Sequence, residues 1–374
     1  MLCTRVLLRP QQDPLAWIPA AVSPVAGHRV TIRAHADVLT GYGQIALRMM
    51  RELRARGRPV AFVPLNVWEG ERAFGHELPP DLREVMARSS PDACELLFAP
   101  PNHQGTEGKH TFHFTMWESG RLPKQCAENL NRCRAVIVPS EWCWTTFDAA
   151  GVTTPIYKVS LAVDTDLFTP AAHPPEVCTF GTGGRKAHGG LRKGMEAAVE
   201  AFQRAFPTEE DVRFSLKCFP DCDIAAVDDP RVTIIREAYT DRQMADWYRS
   251  LTCYVSCAAA EGFGLMPLQA MACGVPVIAT TATGHREYMR DAAGYPVRYQ
   301  LARAEDVVPG NRYYQGLWYM PDLGEAAESM QDVRALKHDA EWRGEQARIV
   351  AEGFSWPIFT DRLTTLLDEL GFHA

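Results

Sequence analysis

The sequence lacks the features that mark a membrane or secreted protein. No apolar run in its 374 residues approaches the roughly 20 residues that a membrane-spanning helix needs. The opening MLCTRVLLRPQQDP contains no long apolar core and no small-residue cleavage site, so it predicts no secretory signal. From these absences we expect a cytoplasmic protein without a transmembrane segment.

The chain has 11 cysteines, but it lacks the cysteine spacing that marks a disulfide framework or a zinc site. An odd, scattered set in a chain of this length is typical of reduced thiols and not of a disulfide framework. Two CxxxC pairs occur, Cys218 with Cys222 and Cys253 with Cys257. Neither has the C-x2-C repeat or the partnered histidines of a zinc site, so we expect no structural metal.

The chain has no excess of positive charge. Its net charge is −7 and its pI is about 5.9, which weighs against a broad nucleic-acid-binding surface. One local basic cluster stands out, GTGGRKAHGGLRKG at 181–194. Glycine, arginine and lysine at this density in a short segment favour a small anion over a polyanion.

What the chain does have is a repeated alternation of apolar strands and amphipathic helices. Ile45, Met49 and Leu53 recur on one side of a predicted helix that follows TGYG (40–43) and ends at Gly57. Predicted strands cover 60–65, 134–140 and 155–161, with a helix from Ser140 to about residue 150. Near-continuous apolar strands between helices predict parallel sheets covered on both faces.

A second unit repeats the pattern after the proline-rich stretch DLFTPAAHPPEV at 166–177. It has predicted helices at 194–206, 241–251 and 265–273 and predicted strands at 212–218, 232–235, 253–257 and 275–280, and the tail from about 324 is mainly helical. Thr240 and Gln243 predict a capping box. We therefore predict an α/β fold with two doubly wound, Rossmann-like domains, 1–168 and 169–355, facing a cleft.

The segment EGFGLMPLQAMACGVPVIA at 261–279 lies where a ligand is expected, beyond the carboxyl end of a predicted strand. Gly262 and Gly264 permit close backbone approach, and the amides from about 262 to 266 open a helix whose N-terminus can hold phosphate. Glu261 leads into this turn and Gln269 lies inside the helix. An ordinary strand–turn–helix with a surface glutamate is the alternative interpretation.

This segment resembles the E-x7-E region of family-4 retaining glycosyltransferases, which use nucleotide sugars and have the GT-B fold. Their usual wording is close to EGFGLPxLEAMACGxPVIA, and the departure here is Gln269 in place of the second glutamate. Further similar passages are TGYGQIALRMMRELRARG, VIVPSEWCWTTFDAAGVTTPIYKVSLAVDTDLFTP and RKGMEAAVEAF. Together they follow the family's order over most of the chain, and the resemblance implies that the last helix, 356–374, packs back on the N-terminal domain.

The resemblance implies a role for each matching residue on the donor side. Arg192 and Lys193 would hold the diphosphate, where fixed cations stabilise the charge that builds on the leaving group. Glu261 would bind hydroxyls of the transferred sugar, and Gln269 would face the ribose. The residues that would offer backbone amides to phosphate or sugar are Gly262, Phe263, Gly264 and Leu265. A solvated basic loop is the alternative interpretation of Arg192 and Lys193.

The N-terminal domain is expected to supply the opposite wall of the cleft. Gly41 and Gly43 would let its backbone approach the diphosphate. His113 and Glu118, in and after the predicted strand TFHFTM, are candidates for the acceptor side and, with Glu261, for catalysis. For His113 a hydrogen-bonded strand residue is the alternative.

The resemblance implies a glycosyltransferase, a hexosyl- or pentosyltransferase, that moves a sugar from a nucleoside-diphosphate sugar to an acceptor hydroxyl with retention. The implied mechanism is front-face and uses no metal and no cofactor beyond the donor. The stretch DTD at 164–166 has the DxD pattern that binds a metal in sugar-nucleotide enzymes of another fold, but here it lies in a passage that resembles a family segment without a metal. Two alternatives stay open. Gln269 motivates a weakly active or non-catalytic sugar-nucleotide binder, and the arginine-rich first helix motivates an enzyme that modifies a nucleic-acid base.

Overall fold

A computed structural model describes residues 30–36, 41–65, 72–73, 76–77, 79–86, 94–106, 110–185, 191–310 and 312–371. The predictions for the N-terminal segment, for Thr40 and for 186–190 of the basic cluster lie outside these ranges. In the part of the chain that is described, no helix combines the length and the apolar character needed to cross a bilayer.

The elements alternate along the chain and are numbered in that order. The strands are β1 (Val30–Ala34), β2 (Val60–Pro64), β3 (Arg72–Ala73), β4 (His76–Glu77), β5 (Cys94–Phe98), β6 (His110–Phe114), β7 (Ala135–Val138), β8 (Ile156–Lys158), β9 (Cys178–Gly184), β10 (Val212–Cys218), β11 (Val232–Arg236), β12 (Cys253–Ser256), β13 (Val277–Thr280), β14 (Gly294–Val297), β15 (Tyr299–Arg303) and β16 (Leu317–Pro321). The helices are α1 (Gly41–Ala55), α2 (Pro80–Met86), α3 (Lys124–Leu130), α4 (Glu141–Ala149), α5 (Met195–Ala205), α6 (Asp241–Arg249), α7 (Leu265–Ala272), α8 (Ala304–Val307), α9 (Leu323–Ala335), α10 (Lys337–Glu352) and α11 (Trp356–Glu369).

Two six-stranded sheets form the two halves of the molecule. The first has the order β2-β1-β5-β6-β7-β8 and the second β11-β10-β9-β12-β13-β14, and every pairing within them is parallel. This confirms the predicted doubly wound α/β fold. The first sheet ends at Lys158 and the second begins at Cys178, so the predicted division at residue 168 lies between them.

Local signals in the sequence fix several helix starts. Thr240 and Gln243 form the predicted capping box at α6, each side chain bonding the other's backbone amide. The Ser140 side chain caps α4 by accepting from the Cys143 amide at 3.3 Å. Such caps satisfy amides that have no partner inside the helix, and for this reason the helix starts could be predicted from the sequence.

The C-terminal helix α11 packs against the first domain, as predicted. Phe359 stacks on Phe114 with ring centroids 6.3 Å apart, and Leu363 is fully buried in the same core. At the far end of the helix Arg58 binds Asp368 at 2.6 Å. The chain therefore crosses from the second domain back to the first, so that α11 connects the two domains.

A hairpin that the sequence analysis did not predict links the two halves a second time. Strands β15 and β16 pair antiparallel, and the segment between them, which we call the strap (304–316), reaches the N-terminal domain. There Arg121 pairs with Gln315 as an antiparallel bridge, and the Gly120 amide donates to Leu317 O at 3.0 Å. A methyl group on Gly120 would lie 2.7 Å from the Leu317 nitrogen, so only glycine allows this approach.

Gly194 is a position where the fold requires glycine, since its φ is 61° and a Cβ there would lie 1.9 Å from Cys257 O. We expect Gly194→Ala to lower the free energy of unfolding by roughly 3 kcal/mol, from a left-handed backbone plus a steric overlap. Gly57→Ala is the matched control because Gly57 has φ 76° but nothing within 4 Å of the added carbon. Urea unfolding should show a clearly larger loss for Gly194→Ala, and equal losses would contradict the steric argument.

Candidate active site

The centre of the site is a carboxylate held by two cations. Glu261 Oε1 lies 2.5 Å from Lys193 Nζ, and Glu261 Oε2 lies 3.3 Å from Arg192 Nη1. Glu261 and Arg192 are each about 8% exposed, so the cluster lies largely out of water. A buried charge group of this kind is stable only because each charge has a partner.

Parallel strand pairing brings these residues together. Glu261 follows β12 and the Arg192–Lys193 turn follows β9, and β12 pairs directly with β9 through Cys253 and Phe180. The carboxyl ends of neighbouring parallel strands meet at one edge, which is where open α/β sheets bind ligands. The sequence prediction that placed both motifs beyond strand ends thus explains their contact.

A backbone carbonyl and a threonine hydroxyl hold Arg192 and Glu261 in place. Arg192 Nη1 donates to Ala260 O at 2.8 Å, and the Glu261 amide donates to Thr283 Oγ1 at 3.2 Å. Thr283 has a φ of 52°, a left-handed conformation that is uncommon for a β-branched residue and that the turn imposes here. Arg192 Nε is buried and has no hydrogen-bond partner among the described residues, which leaves one donor for a ligand oxygen.

The charges of the cluster fix its protonation. Burial by itself would raise the pKa of Glu261, but Lys193 and Arg192 outweigh that effect and hold the pKa at about 2. His285 is fully buried nearby, and burial lowers the pKa of its ring to about 4 although Glu261 opposes this shift. At neutral pH the site therefore contains an ionised Glu261 beside a neutral His285.

Glu118 of the first domain reaches the same cluster from the opposite wall. Burial raises the pKa of its carboxyl group, Arg192 opposes the shift, and Glu261 adds to it. Its Oε2 lies 3.5 Å from the Tyr314 hydroxyl, and its backbone carbonyl accepts from Trp318 Nε1 at 3.2 Å. The structure thus brings Glu118 to the donor-side residues, with its position set by the strap.

Tyr314 is a site residue that sequence reasoning missed. Its ring lies 5.4 Å from the Arg192 guanidinium, so it touches a cation of one domain and a carboxylate of the other. The sequence feature that could have indicated Tyr314 is RYYQGLWYM at 312–320, an aromatic-rich stretch between β15 and α9. His285 and Thr283 were also missed, since their importance comes from packing against Glu261.

The glycine turn after Glu261 lies against the first domain. Gly262 O accepts from Ser140 Oγ at 2.6 Å, and a Cβ on Gly262 would lie 2.7 Å from the Met116 Cβ. Phe263 is buried, with its ring against Tyr288 at 5.6 Å. The side chain of Phe263 therefore serves the core, and only its backbone remains for a ligand.

Helix α7 begins directly after this turn. Gly264 is its N-cap, with φ 88° and no side chain to cap the first amides. On the other wall Gly41 opens α1, and a Cβ on Gly41 would contact Leu265 Cδ1 at 3.9 Å, while Gly43 is buried within the same turn. Of the two predicted glycines, Gly41 thus faces the start of α7.

Gln269 lies one turn further into α7 and lines a cavity of about 290 Å³ between the domains. Its Oε1 accepts from the Tyr248 hydroxyl at 3.1 Å. The other lining residues come from α1, from 162–168, from the start of α6 and from α11; they include Gln44, Arg48, Arg51, Asp164, Tyr239, Thr240, Asp241 and Trp356. The cavity therefore has Gln269 on the second-domain wall and acidic and basic side chains around it.

His113 does not share in this arrangement. It lies in β6 opposite Leu97 and Val136, is 0% exposed, and its Nε2 lies 3.1 Å from Ala99 O. The predicted catalytic candidate is thus enclosed in the sheet, which matches the hydrogen-bonded strand residue that was its alternative. Its burial lowers the pKa of the ring to about 3.

The DTD stretch also has a structural explanation. Asp164 Oδ2 binds Arg48 at 2.8 Å, and Asp164 Oδ1 accepts from the amides of Asp166 and Leu167 at 3.2 Å. Both carboxylate oxygens are thus engaged by a turn and an ion pair. Over the described ranges there is no group of three or more His, Cys, Asp or Glu side chains placed to bind a metal ion.

Comparisons with known proteins agree with this geometry. A family model described as glycosyl transferases group 1 matches residues 179–307. The D-inositol 3-phosphate glycosyltransferase of Arthrobacter sp. (strain FB24) is 27% identical over 212 residues, 52% of this chain and 45% of that protein. The lipopolysaccharide core biosynthesis mannosyltransferase LpcC of Rhizobium leguminosarum bv. viciae is 33% identical over 151 residues, 33% of this chain and 40% of that protein. The chain thus spans less than half the length of these curated relatives.

Solved structures show the fold over nearly the whole chain. Sucrose-phosphate synthase from Thermosynechococcus elongatus has a TM-score of 0.66 at 15% identity, covering 92% of this chain and 99% of that one. HepE of Anabaena, in complex with UDP-glucose, has a TM-score of 0.64 at 14% identity, covering 91% and 100%. The two facing Rossmann-like domains are therefore a GT-B fold, as the sequence resemblance predicted.

The burial of His113 predicts a pH-dependent stability. Unfolding returns the ring to a pKa near 6.5, so only the unfolded state binds this proton between about pH 6.5 and pH 3. Stability is therefore lost as the pH falls, by on the order of 2 kcal/mol for this group between pH 7 and pH 5. We expect His113→Gln to flatten that loss in urea unfolding at the two pH values. His338→Gln, at a fully exposed ring, is the control and should leave the loss unchanged; an unchanged loss in His113→Gln as well would refute the assignment.

Proposed function

Because residues 179–307 form a group 1 glycosyltransferase domain and the chain has the GT-B fold, we propose that this protein transfers a sugar from a nucleoside-diphosphate sugar to an acceptor hydroxyl. The transfer proceeds with retention at the anomeric carbon. The donor lies against the second domain and the acceptor against the first. Among the proteins with this fold, HepE is named in complex with UDP-glucose, which supports a nucleotide sugar as the donor.

One observation carries the proposal, namely the contact of Arg192 and Lys193 with Glu261 beneath Glu118. Two cations at the carboxyl ends of adjacent strands suit a diphosphate, and a carboxylate beside them suits sugar hydroxyls. Before the donor binds, Glu261 neutralises the cations. A bound diphosphate takes over Lys193 and the free Arg192 Nε, which frees Glu261 oxygens to accept from the sugar hydroxyls.

The proposed reaction is a front-face substitution at the anomeric carbon. The bond between the anomeric carbon and the diphosphate oxygen breaks as the acceptor oxygen bonds the same carbon on the same face, and the acceptor proton passes to the departing phosphate. Arg192, Lys193 and the first amides of α7 stabilise the negative charge that develops on the leaving group. Glu118 faces this region from the first domain and orients the acceptor. His113, enclosed in the sheet, has no part in this scheme.

The mechanism we propose needs no metal. Divalent ions in other sugar-nucleotide enzymes neutralise the diphosphate, and here two protein cations can carry that charge. Asp164 of the DTD stretch is bound to Arg48 and to two amides. Activity should therefore persist in excess chelator.

The arginine-rich first helix does not favour a nucleic-acid acceptor. Arg48, Arg51, Arg54 and Arg56 each pair with a carboxylate; their partners are Glu52 and Asp164, Asp81, Glu84, and Asp361. Cations that are already paired with carboxylates neutralise few phosphates of a nucleic acid, so little counterion release would favour its binding to this helix. The paired arginines therefore weigh against a nucleic-acid acceptor.

A donor screen tests the proposed function. Thermal shift with UDP-, GDP-, ADP-, TDP- and CMP-linked sugars identifies binding, and donor hydrolysis or transfer measures turnover. Tight binding of a donor without turnover on any acceptor would support the alternative suggested by Gln269, a non-catalytic sugar-nucleotide binder. If the protein showed neither donor binding nor turnover, the proposed function would be wrong.

We expect Lys193→Ala to lower kcat for donor hydrolysis or transfer by about 10²- to 10³-fold, because a cation that stabilises the leaving group is lost. The fold should hold since Arg192 still pairs with Glu261. Lys124→Ala is the matched control, because Lys124 is 91% exposed on α3 and far along the chain from the cluster. Turnover within twofold of wild type in Lys193→Ala would exclude Lys193 from the leaving-group site.

We expect Gln269→Glu to preserve folding and to change donor affinity by less than about tenfold, since the quality of one hydrogen bond is at stake. The Tyr248 hydroxyl can donate to either side chain. Isothermal titration with the best donor from the screen gives the change, and Gln269→Leu shows the cost of losing the polar group. A loss of several orders of magnitude would reveal a dedicated role for the amide.

A further inference from the structure

Lys217 is a buried cation that the proposed mechanism does not use. It lies in β10, next to the carboxyl end of the strand, and is only 4% exposed. Within the described ranges the structure gives it no hydrogen bond and no ion pair. Burial lowers the pKa of Lys217, and the charge of Glu237 opposes this shift without forming an ion pair with the ammonium. Such a group calls for an explanation beyond packing.

Two aromatic rings flank the ammonium. Lys217 Nζ lies 4.6 Å from the Phe219 ring centroid and 5.3 Å from the Tyr239 ring centroid. These contacts compensate part of the lost hydration and hold the ammonium in one place. The side chain of Lys217 makes no hydrogen bond among the described residues, and Nζ is not one of the buried atoms that lack a partner, so it keeps contact with solvent and a ligand oxygen can reach it.

The position of the group points to the donor. Phe219 directly follows β10 and Tyr239 lies three residues after β11, so both rings stand at the ligand-binding edge of the second sheet. The Tyr239 ring also lines the cavity that contains Gln269. One aromatic wall is therefore shared by the buried ammonium and by the cavity assigned to the ribose.

We propose that Lys217, Phe219 and Tyr239 form the base-binding end of the donor site, where the ammonium binds a keto oxygen of the base. The inference rests on the proposed function. With the ribose at Gln269, the part of the base that reaches deepest is the edge furthest from the sugar. On that edge uracil carries O4 and guanine carries O6, both acceptors.

An amino group at the same position is disfavoured. Cytosine and adenine carry an NH2 donor there, and an ammonium, which only donates, cannot accept from it. Phe219 and Tyr239 supply ring faces on which any base can stack, so they contribute affinity without selecting among bases. The proposed contact therefore favours uracil- or guanine-type donors over cytosine- or adenine-type donors, which offer only a ring nitrogen as an acceptor near that edge.

Titration of the full chain with UDP and CDP, whose bases differ only at position 4 and in the protonation of the adjacent N3, tests the proposal. Wild type should bind UDP about tenfold or more tightly than CDP, the usual worth of a charge-assisted hydrogen bond. Lys217→Met should lower the affinity for UDP to that for CDP and leave the affinity for CDP unchanged. Lys217→Arg, which keeps the charge, should retain part of the preference, and Lys124→Met is the exposed control.

The outcomes separate this inference from the proposed function. Equal binding of UDP and CDP by wild type, or an equal loss of both in Lys217→Met, overturns the role of Lys217 and leaves the glycosyltransferase proposal standing. Binding of neither nucleotide, nor of GDP and ADP, overturns both.

Discussion

The buried contact of Glu261 with Arg192 and Lys193 is the constraint around which the site is built. These three charges remain largely out of water because each cation contacts the carboxylate, and because the Ala260 carbonyl and the Thr283 hydroxyl fix the positions of Arg192 and Glu261. The same balance makes the cluster responsive. In the function we propose, a ligand that brings negative charge takes over the cations and releases the carboxylate, so that donor binding and the freeing of Glu261 are one rearrangement of charge.

The cluster works only if the two domains face each other closely, and three structures secure that. Helix α11 returns to the first domain, Ser140 caps α4 and also donates to Gly262 O, and the strap bonds to Gly120 and Arg121. Through the strap Tyr314 contacts both Glu118 and Arg192. The acceptor wall and the donor wall are thereby held in register by backbone pairing, which is more exact than the contact of two side-chain surfaces.

Gln269 acquires a context that its position in the motif did not show. A glutamate there would bring a further negative charge into a cavity already lined by Asp164 and Asp241, whereas the amide is neutral and is oriented by Tyr248. The substitution is thus compatible with the charges around it. In our proposal the selection among nucleotides comes from Lys217, whose ammonium lies against the ring of Tyr239, a residue that lines this cavity.

The sequence by itself determined the helices and strands, and it placed the charged site residues at the carboxyl ends of strands. Apolar periodicity, caps such as Thr240 and the order of the motifs predicted two parallel-sheet domains with Glu261, Arg192 and Lys193 at one edge, because these signals are local. Only the tertiary structure decided that His113 is enclosed, that Asp164 is bound to Arg48, and that Tyr314 and Lys217 face the site. Those facts depend on contacts between residues up to some 200 positions apart along the chain, such as Glu118 with Trp318, and no local pattern encodes them.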